Sequence, residues 1–292
     1  MSVNVDLHMH TTHSDGSCSP EELMRQCKEK NLACVSVTDH DTMSGFEACE
    51  REAVRQGIEL IPGIEISVIF EPGTLHILGY YLNRQHPELC KKLEEIQKAR
   101  RERNLNIIKK LNEAGLEITM GEVASEASGG DPGLSGKQIG RPHYAKVLLK
   151  KGYVRNLEEA FSKYLGRGRA AYVDKRLLAS QEAIELINRA GGVASVAHPK
   201  QMRLDEGPLD KEMKKLARQG LGGIEVYNSC QSHQENGIYL KIARRYNLVP
   251  TGGSDFHGSN KPGVELGFLG KGVNAGYEMV EALQRRIQQQ AA

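Results

Sequence analysis

Residues 6–16 have the sequence DLHMHTTHSDG, and residues 3–7, which overlap its start, predict a short β-strand. His8 and His10 therefore stand two positions apart where that strand ends. Side chains at positions i and i+2 of a strand point to the same face, which is the geometry that two ligands of one metal ion need. A single pair of this kind is common by chance, so its meaning depends on how the other strands end.

Predicted strands and helices alternate through the first hundred residues. Ser19, Pro20 and two glutamates predict a helix start, because Ser caps free N–H groups and acids favour the positive end. Ser44 is predicted to cap a second helix, which Gly57 ends. Further strands are predicted at residues 33–38, 58–61, 65–70 and 75–80, with a turn at residues 71–74 between the last two.

The alternation resumes in the last third of the chain. Helices are predicted at residues 181–190, 209–219 and 236–246, and each leads to a strand, at residues 193–197, 223–227 and 248–251. Repeated βα units of this kind favour a parallel sheet or a barrel.

The middle of the chain differs, because residues 99–172 predict helices around a Gly-rich loop at residues 128–140, without βα alternation. This stretch holds 14 basic and 8 acidic residues, a charge of +6, whereas the rest of the chain carries −4. We expect residues 1–98 and 173–292 to form one barrel and residues 99–172 to form a basic insertion. Solvated helix faces could explain the charge; the alternative is a positive lid over an anionic substrate.

Composition excludes several classes of protein. The chain has 292 residues, 26% charged and 39% apolar, which does not fit a disordered chain. It has no apolar run of about 20 residues and no signal-peptide pattern at its start, so we expect a cytoplasmic protein without a membrane partner. Its six cysteines form no CxxC pair, so neither a zinc knuckle nor a disulfide framework is predicted.

Other predicted strands also end in polar motifs that contain histidine or carboxylate. The candidates are His40, which stands between Asp39 and Asp41 after the second strand, Glu65, His76, His198, and Asp255 with His257; Asp15 lies in the first loop. Strand ends of a parallel barrel converge on one face, where chemistry usually takes place. Six histidines and three carboxylates would suffice for two or three divalent ions, and mixed nitrogen and oxygen ligands suit Mn, Zn or Fe.

These motifs, taken in order, resemble the polymerase-and-histidinol-phosphatase (PHP) family of metal-dependent phosphoesterases. The matching segments are DLHMHTTHSDG (6–16), TDHDT (38–42), PGIEIS (62–67), HILGY (76–80), AHP (197–199) and GSDFHG (253–258). The resemblance implies an α/β fold, a distorted (β/α)7 barrel, here with a helical insertion.

The resemblance also implies an assignment of metal ligands. One ion would bind His8, His10, Glu65 and Asp255. A second would bind Glu65, His76 and His198, and a third would bind Asp15, His40 and His257.

Within the family, the chain is similar to nucleotide phosphatases with a helical insertion, which act on 3',5'-bisphosphate nucleotides and in some cases trim short RNA from its 5' end. Arg100 and Arg103 match an RxxR element that opens this insertion. Arg141-Pro142-His143 matches an Arg-Thr-His element, with Pro142 replacing a residue that has a hydroxyl and a backbone N–H.

We therefore expect an enzyme that removes phosphate from nucleotides such as 3'-phosphoadenosine 5'-phosphate. A hydroxide that bridges two metal ions would attack phosphorus. Arg141 would bind the transferred phosphoryl group, beside Asp15 and His40. Arg100 and Arg103, one helical turn apart, would bind a second phosphate, and His143 or His257 could protonate the leaving group.

Four alternatives stay open. The first is a 5'-to-3' exonuclease on short 5'-phosphorylated RNA, which the basic insertion would accommodate. Histidinol phosphate is a less favoured substrate, because a small zwitterion needs no RxxR element. An amidohydrolase shares the HxH pair but often bridges its metals with a modified lysine, a role that Glu65 fills here. A binding barrel without activity would be expected to lack ligands. The expected partner is a nucleotide or short RNA, and no obligate protein partner is evident.

Overall fold

The computed structural model describes residues 4–127, 139–273 and 276–291. Seven strands form one sheet in which each strand lies beside the next in the chain. The strands are β1 Asn4–Met9, β2 Leu32–Val37, β3 Glu59–Val68, β4 Leu75–Tyr80, β5 Val193–Val196, β6 Gly223–Asn228 and β7 Val249–Gly253.

The sheet closes on itself just beyond the ends of β1 and β7. Met9 forms a parallel bridge with Phe256, and the N–H of His10 donates to the Phe256 carbonyl at 2.9 Å. The N–H of Asp255 donates to the His8 carbonyl at 2.8 Å. The predicted barrel is thus confirmed as a nearly closed, seven-stranded α/β barrel. It is distorted because β4 runs antiparallel to both β3 and β5, whereas the other neighbouring pairs are parallel.

The prediction of separate strands at residues 58–61 and 65–70 is wrong, because β3 is one continuous strand. Pro62 pairs with Val37 of β2, and its carbonyl accepts from the Tyr81 N–H at 2.8 Å. A Cβ on Gly63 would stand 2.2 Å from the Ser36 Oγ. The Pro-Gly pair therefore permits close approach of β2 instead of making a turn.

Helices alternate with the strands of the barrel, and further helices form the middle part of the chain. They are α1 Pro20–Glu29, α2 Phe46–Gln56, α3 Pro87–Glu113, α4 Met120–Ala127, α5 Arg141–Lys150, α6 Leu157–Ala160, α7 Ser180–Arg189, α8 Glu206–Arg218, α9 His233–Arg245 and α10 Glu278–Ala291. A π-helical turn follows α6 at Phe161–Leu165, and short 3-10 turns lie at Pro199–Met202 and Gly258–Asn260.

The predicted start of α1 is confirmed, because Ser19 and Glu22 form a reciprocal capping box. The predicted cap of α2 is wrong. Gly45 is the N-cap and makes no side-chain cap bond, whereas the Ser44 hydroxyl lies 2.8 Å from His13 Nδ1. Gly57 ends α2 with a positive φ of 65°, as predicted.

The chain divides into two compact units, one of residues 1–93 with 177–292 and one of residues 94–176. The first, the barrel unit, has cores around Leu7 and Leu23. The second, the helical unit, has its own core around Leu111 and Tyr144. Residues 128–138 of the predicted Gly-rich loop (128–140) lie outside the described residues. The role of the helical unit as a lid over the substrate stays a prediction.

None of the helices in the described ranges is long and apolar enough to cross a lipid bilayer. All six cysteines are free thiols, four of them buried, which agrees with the absence of a predicted disulfide framework.

Substitution of Gly253 should disturb the closure of the barrel. A Cβ at this position would stand 2.2 Å from the His8 Cβ and 2.5 Å from the His8 nitrogen, so Gly253→Ala must push β7 away from β1. Overpacking of this kind costs about 1–3 kcal/mol. Urea denaturation followed by circular dichroism, in excess chelator, should show this loss of unfolding free energy.

The matched control is Gly237→Ala in α9, where a Cβ would meet nothing within 4 Å. It should leave stability unchanged or raise it by up to about 1 kcal/mol, because Ala favours helix over Gly. Equal stability of Gly253→Ala and the unmodified protein would contradict the proposed steric restraint.

Candidate metal centre

Glu65, in the middle of β3, is fully buried among histidine side chains. Its Oε2 atom lies 3.4 Å from His8 Nε2, 3.3 Å from His10 Nε2 and 3.1 Å from His40 Nδ1. The HxH pair thus points both Nε2 atoms at the same carboxylate oxygen, as the alternation of side chains along β1 predicts.

The other oxygen of Glu65 faces a second pair of histidines. Oε1 lies 2.8 Å from Nδ1 of His76, on the antiparallel strand β4, and 2.9 Å from Nε2 of His198, which follows β5. One carboxylate therefore contacts five imidazoles, and its two oxygens divide them into two groups. This is the arrangement that a ligand shared between two metal ions requires.

Two further carboxylates complete the cluster. Asp255 follows β7, and its Oδ1 lies 3.4 Å from His8 Nε2 and 3.3 Å from His10 Nε2. Asp15, from the loop after β1, places Oδ1 3.3 Å from His257 Nε2 and Oδ2 3.6 Å from His40 Nε2. The barrel thus brings together all nine side chains that the sequence singled out.

The donor atoms of these side chains form four overlapping groups, within each of which all lie within 4.8 Å of one another. The groups are His10, Asp15, His40 and His257; His8, Glu65 and His198; His8, His10 and Asp255; and His40, Glu65 and His76. His8 Nε2 is buried and makes no hydrogen bond within the described residues. Imidazole nitrogens and carboxylate oxygens that converge in this way fit divalent metal ions.

The electrostatics of the cluster also favour cations. Burial alone would raise the pKa of Glu65, but the imidazoles of His40, His76 and His8 hold it well below its ordinary value. Burial lowers the pKa of His10, but Asp255 and Glu65 outweigh it and raise the value to about 10. The carboxylates therefore stay ionised and stabilise positive charge on whatever occupies the space between them.

Two buried aspartates hold the loops that carry the ligands. Asp6 accepts hydrogen bonds from the N–H groups of His8 at 3.2 Å and Ser254 at 2.9 Å. Asp39 accepts from the N–H of Thr11 at 2.8 Å and from its hydroxyl at 2.6 Å. Both aspartates lie inside the quoted motifs, but neither was predicted to have a role of its own.

Two charged residues at the centre were not predicted at all. Glu225 of β6 is fully buried and contacts His8 Nδ1 at 3.0 Å. Lys261 forms an ion pair with Oδ2 of Asp255, the oxygen turned away from His8. A glutamate in the apolar strand GIEV (223–226) was the available signal for the first; an isolated lysine in a loop carried none.

The predicted substrate arginines lie in the helical unit and are only partly exposed. The Arg103 Nε donates to the Val173 carbonyl at 3.0 Å, and the Arg141 Nη1 donates to the Leu165 carbonyl at 3.1 Å. The Arg141 guanidinium also stacks 5.3 Å from the ring centre of Tyr172. Both side chains are thus held in defined positions.

Neighbouring positive charges also affect the pKa of Arg103. Burial first, and then the positive charges of Arg141 and Arg100, lower its pKa. The guanidinium of Arg103 is therefore close enough to those of Arg141 and Arg100 to be repelled by both.

The remaining histidines lie outside the four groups of candidate ligands. His143 Nδ1 accepts from the Gly140 N–H at 3.0 Å, at the start of α5. His233 is exposed at the start of α9, and neither it, His13 nor His86 is among the grouped ligands. The metal-binding roles of the nine clustered side chains, and the substrate roles of His143 and the three arginines, stay predictions.

Comparison with known proteins gives consistent results. A 5'-3' exoribonuclease, Rnm, of Escherichia coli K12 is 31% identical, over 99% of this chain and 97% of the relative. A 3',5'-nucleoside bisphosphate phosphatase of Chromobacterium violaceum is 29% identical, over 91% of each chain. The crystal structure of a metal-dependent phosphoesterase from Bifidobacterium adolescentis superposes with a TM-score of 0.79 at 27% identity, covering 97% of this chain and 96% of that one.

The family model described as the PHP domain matches residues 6–233, which is well over half of the chain. That stretch contains seven of the nine clustered ligands, and the other two, Asp255 and His257, lie beyond it, as does all of β7. With the barrel, the ligand cluster and the similar proteins in agreement, we conclude that this chain belongs to the PHP-domain family of metal-dependent phosphoesterases.

Proposed function

We propose that the protein removes the 3'-phosphate from 3',5'-bisphosphate nucleotides such as 3'-phosphoadenosine 5'-phosphate. The observation that carries this proposal is the combination of the nine-residue cluster with three arginines, among which the charges of Arg141 and Arg100 lower the pKa of Arg103. A cluster of ionised carboxylates and histidines suits phosphoester hydrolysis in general. The additional arginines suit a substrate with more negative charge than one phosphate carries.

We assign two or three divalent ions to the centre, with Mn²⁺ favoured and Zn²⁺ or Fe as the alternatives. His8, His10, Glu65 and Asp255 would hold one ion, Glu65, His76 and His198 a second, and Asp15, His40 and His257 a third. When bound, these ions would supply an acidified water and positive charge for the phosphoryl oxygens.

The arginines would bind the substrate's phosphates. A guanidinium presents two parallel donors to a phosphate, a geometry that lysine cannot reproduce. Arg141 would bind the phosphoryl group that is transferred, beside Asp15 and His40. Arg100 and Arg103 would bind the phosphate that the substrate keeps. The contacts of Arg103 and Arg141 with backbone carbonyls favour this role, because they fix each guanidinium before substrate arrives.

The hydrogen bonds of two histidines favour different tasks for them. His257 Nδ1 donates to the Asp255 carbonyl at 2.9 Å, which leaves the Nε2 lone pair facing Asp15 and suits a metal ligand. Nδ1 of His143 accepts a backbone N–H, so the neutral ring carries its proton on Nε2. Because His257 is assigned to a metal ion and His143 is not, we favour His143 as the proton donor to the leaving oxygen.

The second candidate function is 5'-to-3' exonuclease activity on short 5'-phosphorylated RNA. It is favoured by the 31% identity with the exoribonuclease of Escherichia coli and by the charge of +6 on residues 99–172. The same centre could hydrolyse a phosphate monoester or a diester. Histidinol phosphatase and amidohydrolase activities have less support, because neither requires the arginines.

The two functions are separated by comparing rates on two substrates. With Mn²⁺, we expect kcat/KM for phosphate release from 3'-phosphoadenosine 5'-phosphate to exceed that for nucleotide release from a 5'-phosphorylated oligoribonucleotide. Phosphate is measured colorimetrically and nucleotides by chromatography. A reversed order would favour the exonuclease, and inactivity on both with Mn²⁺, Zn²⁺ and Fe²⁺ would refute both proposals.

Arg100→Ala should lower kcat/KM for bisphosphate nucleotides by about 10- to 100-fold, since a charge-assisted contact to phosphate contributes about 1.5–3 kcal/mol. Its effect on monophosphates should be much smaller, because they lack the second phosphate. The exposed neighbour Arg101 supplies the control, and Arg101→Ala should change neither value. Equal losses on both substrates would remove Arg100 from the second-phosphate site.

The ligand assignment predicts unequal metal contents. Glu65→Gln should reduce bound metal more than Asp15→Asn, because Glu65 contacts five imidazoles and is assigned to two ions. Metal per chain is measured by mass spectrometry after dialysis against Mn²⁺. His13→Ala, which removes an imidazole outside the cluster, is the control and should keep the full content. A larger loss in Asp15→Asn would overturn the assignment.

A further inference from the structure

Glu225 is a fully buried carboxylate that none of the proposed metal sites uses. It lies on β6, the strand between β5 and β7, and points toward the histidines at the centre. A buried charge is expensive unless hydrogen bonds compensate it, so its partners indicate why the fold retains it.

The two oxygens of Glu225 contact two different candidate ligands. Oε1 lies 3.0 Å from His8 Nδ1, and Oε2 accepts from the backbone N–H of His198 at 2.6 Å. The Asn228 side chain donates to Oε2 at 3.3 Å. His8 belongs to the first proposed ion and His198 to the second, so one carboxylate reaches both.

The contact with His8 determines which ring nitrogen carries the proton. A carboxylate oxygen accepts hydrogen bonds, so His8 Nδ1 is the donor in this contact. The neutral ring then presents the Nε2 lone pair to the space that Glu65 and Asp255 face, each 3.4 Å away. A carboxylate on the far nitrogen also makes the ring a stronger electron donor.

The contact with His198 restrains the backbone. His198 has φ 25° and ψ 68°, a conformation that residues other than glycine rarely adopt. Its N–H bond to Glu225 holds this conformation, in which the imidazole Nε2 reaches Glu65 Oε1 at 2.9 Å.

We propose that Glu225 is a positioning residue that prepares both metal positions at once. It sets the tautomer of His8, with the proton on Nδ1, through a side-chain bond and the orientation of His198 through a backbone bond. The proposal rests on the metal centre but is independent of the substrate, so it can be tested by metal binding alone.

The first test is Glu225→Gln in the full chain. Glutamine has the same shape but one carbonyl oxygen, so it cannot accept from both His8 and His198. We expect Mn²⁺ affinity, measured by competition with a chelating dye in the absence of substrate, to fall by about 10- to 100-fold. The control is Thr251→Val on neighbouring β7, which removes a buried hydroxyl bonded to Ser195 at 3.2 Å and should keep the affinity.

The outcomes separate a positioning role from a structural one. Equal Mn²⁺ affinity of Glu225→Gln and the unmodified protein would overturn the proposal, as would an equal loss in Thr251→Val. Absence of phosphatase activity on every nucleotide would refute the proposed substrate but leave the difference in affinity unchanged.

A second measurement observes the His8 ring directly in the unmodified protein, and a variant serves only to assign its signals. In Zn²⁺-loaded protein labelled with ¹⁵N-histidine, the proton-nitrogen spectrum should show His8 protonated at Nδ1, with Nε2 shifted by coordination. The His8 signals are assigned by their loss in His8→Gln. Coordination of His8 through Nδ1 would overturn the proposal.

Discussion

The contact between the buried Glu65 carboxylate and five imidazoles is the interaction on which this structure depends. A carboxylate with no exposed surface needs positive charge or donors around it, and here both of its oxygens face ring nitrogens. Those nitrogens come from β1, β4 and the segments that follow β2 and β5. These nitrogens reach one carboxylate because the sheet curves until its strand ends meet. The charge of Glu65 can therefore be compensated only when the barrel is closed.

The distortion of the barrel follows from the same requirement. In a barrel of strictly parallel strands, each strand brings residues to the site only at its carboxyl end. The antiparallel strand β4 instead supplies His76 near its start, opposite Ser67 on β3. His198 and Asp255 reach the centre through positive-φ conformations, at 25° and 58°. Local strain of this kind persists where surrounding contacts determine it, and the bonds to Glu225 and His8 are such contacts.

The sequence predicted correctly which side chains lie together where a candidate metal ligand stood at the end of a predicted strand. His8 and His10 could be found because alternation along a strand is independent of the rest of the fold, and Gly57 because a helix end is local. The predicted strands at residues 58–61 and 65–70 are one strand in the structure, because the close approach of β2 at Gly63 depends on a neighbouring strand that local sequence does not show. Glu225 escaped prediction for the same reason, since its partners lie 217 and 27 positions away in the chain.

The two units of the chain carry different chemical groups, candidate metal ligands in the barrel unit and the candidate substrate arginines in the helical unit. The barrel unit gathers ionised carboxylates and imidazoles, a set that suits any phosphoester and does not distinguish one from another. Two relatives named for different substrates are 31% and 29% identical to this chain, so overall similarity does not distinguish them either. Discrimination must come from groups that contact the rest of the substrate. In the helical unit, burial and the positive charges of Arg141 and Arg100 lower the pKa of the half-buried Arg103, and this is the feature behind the second-phosphate site that we propose.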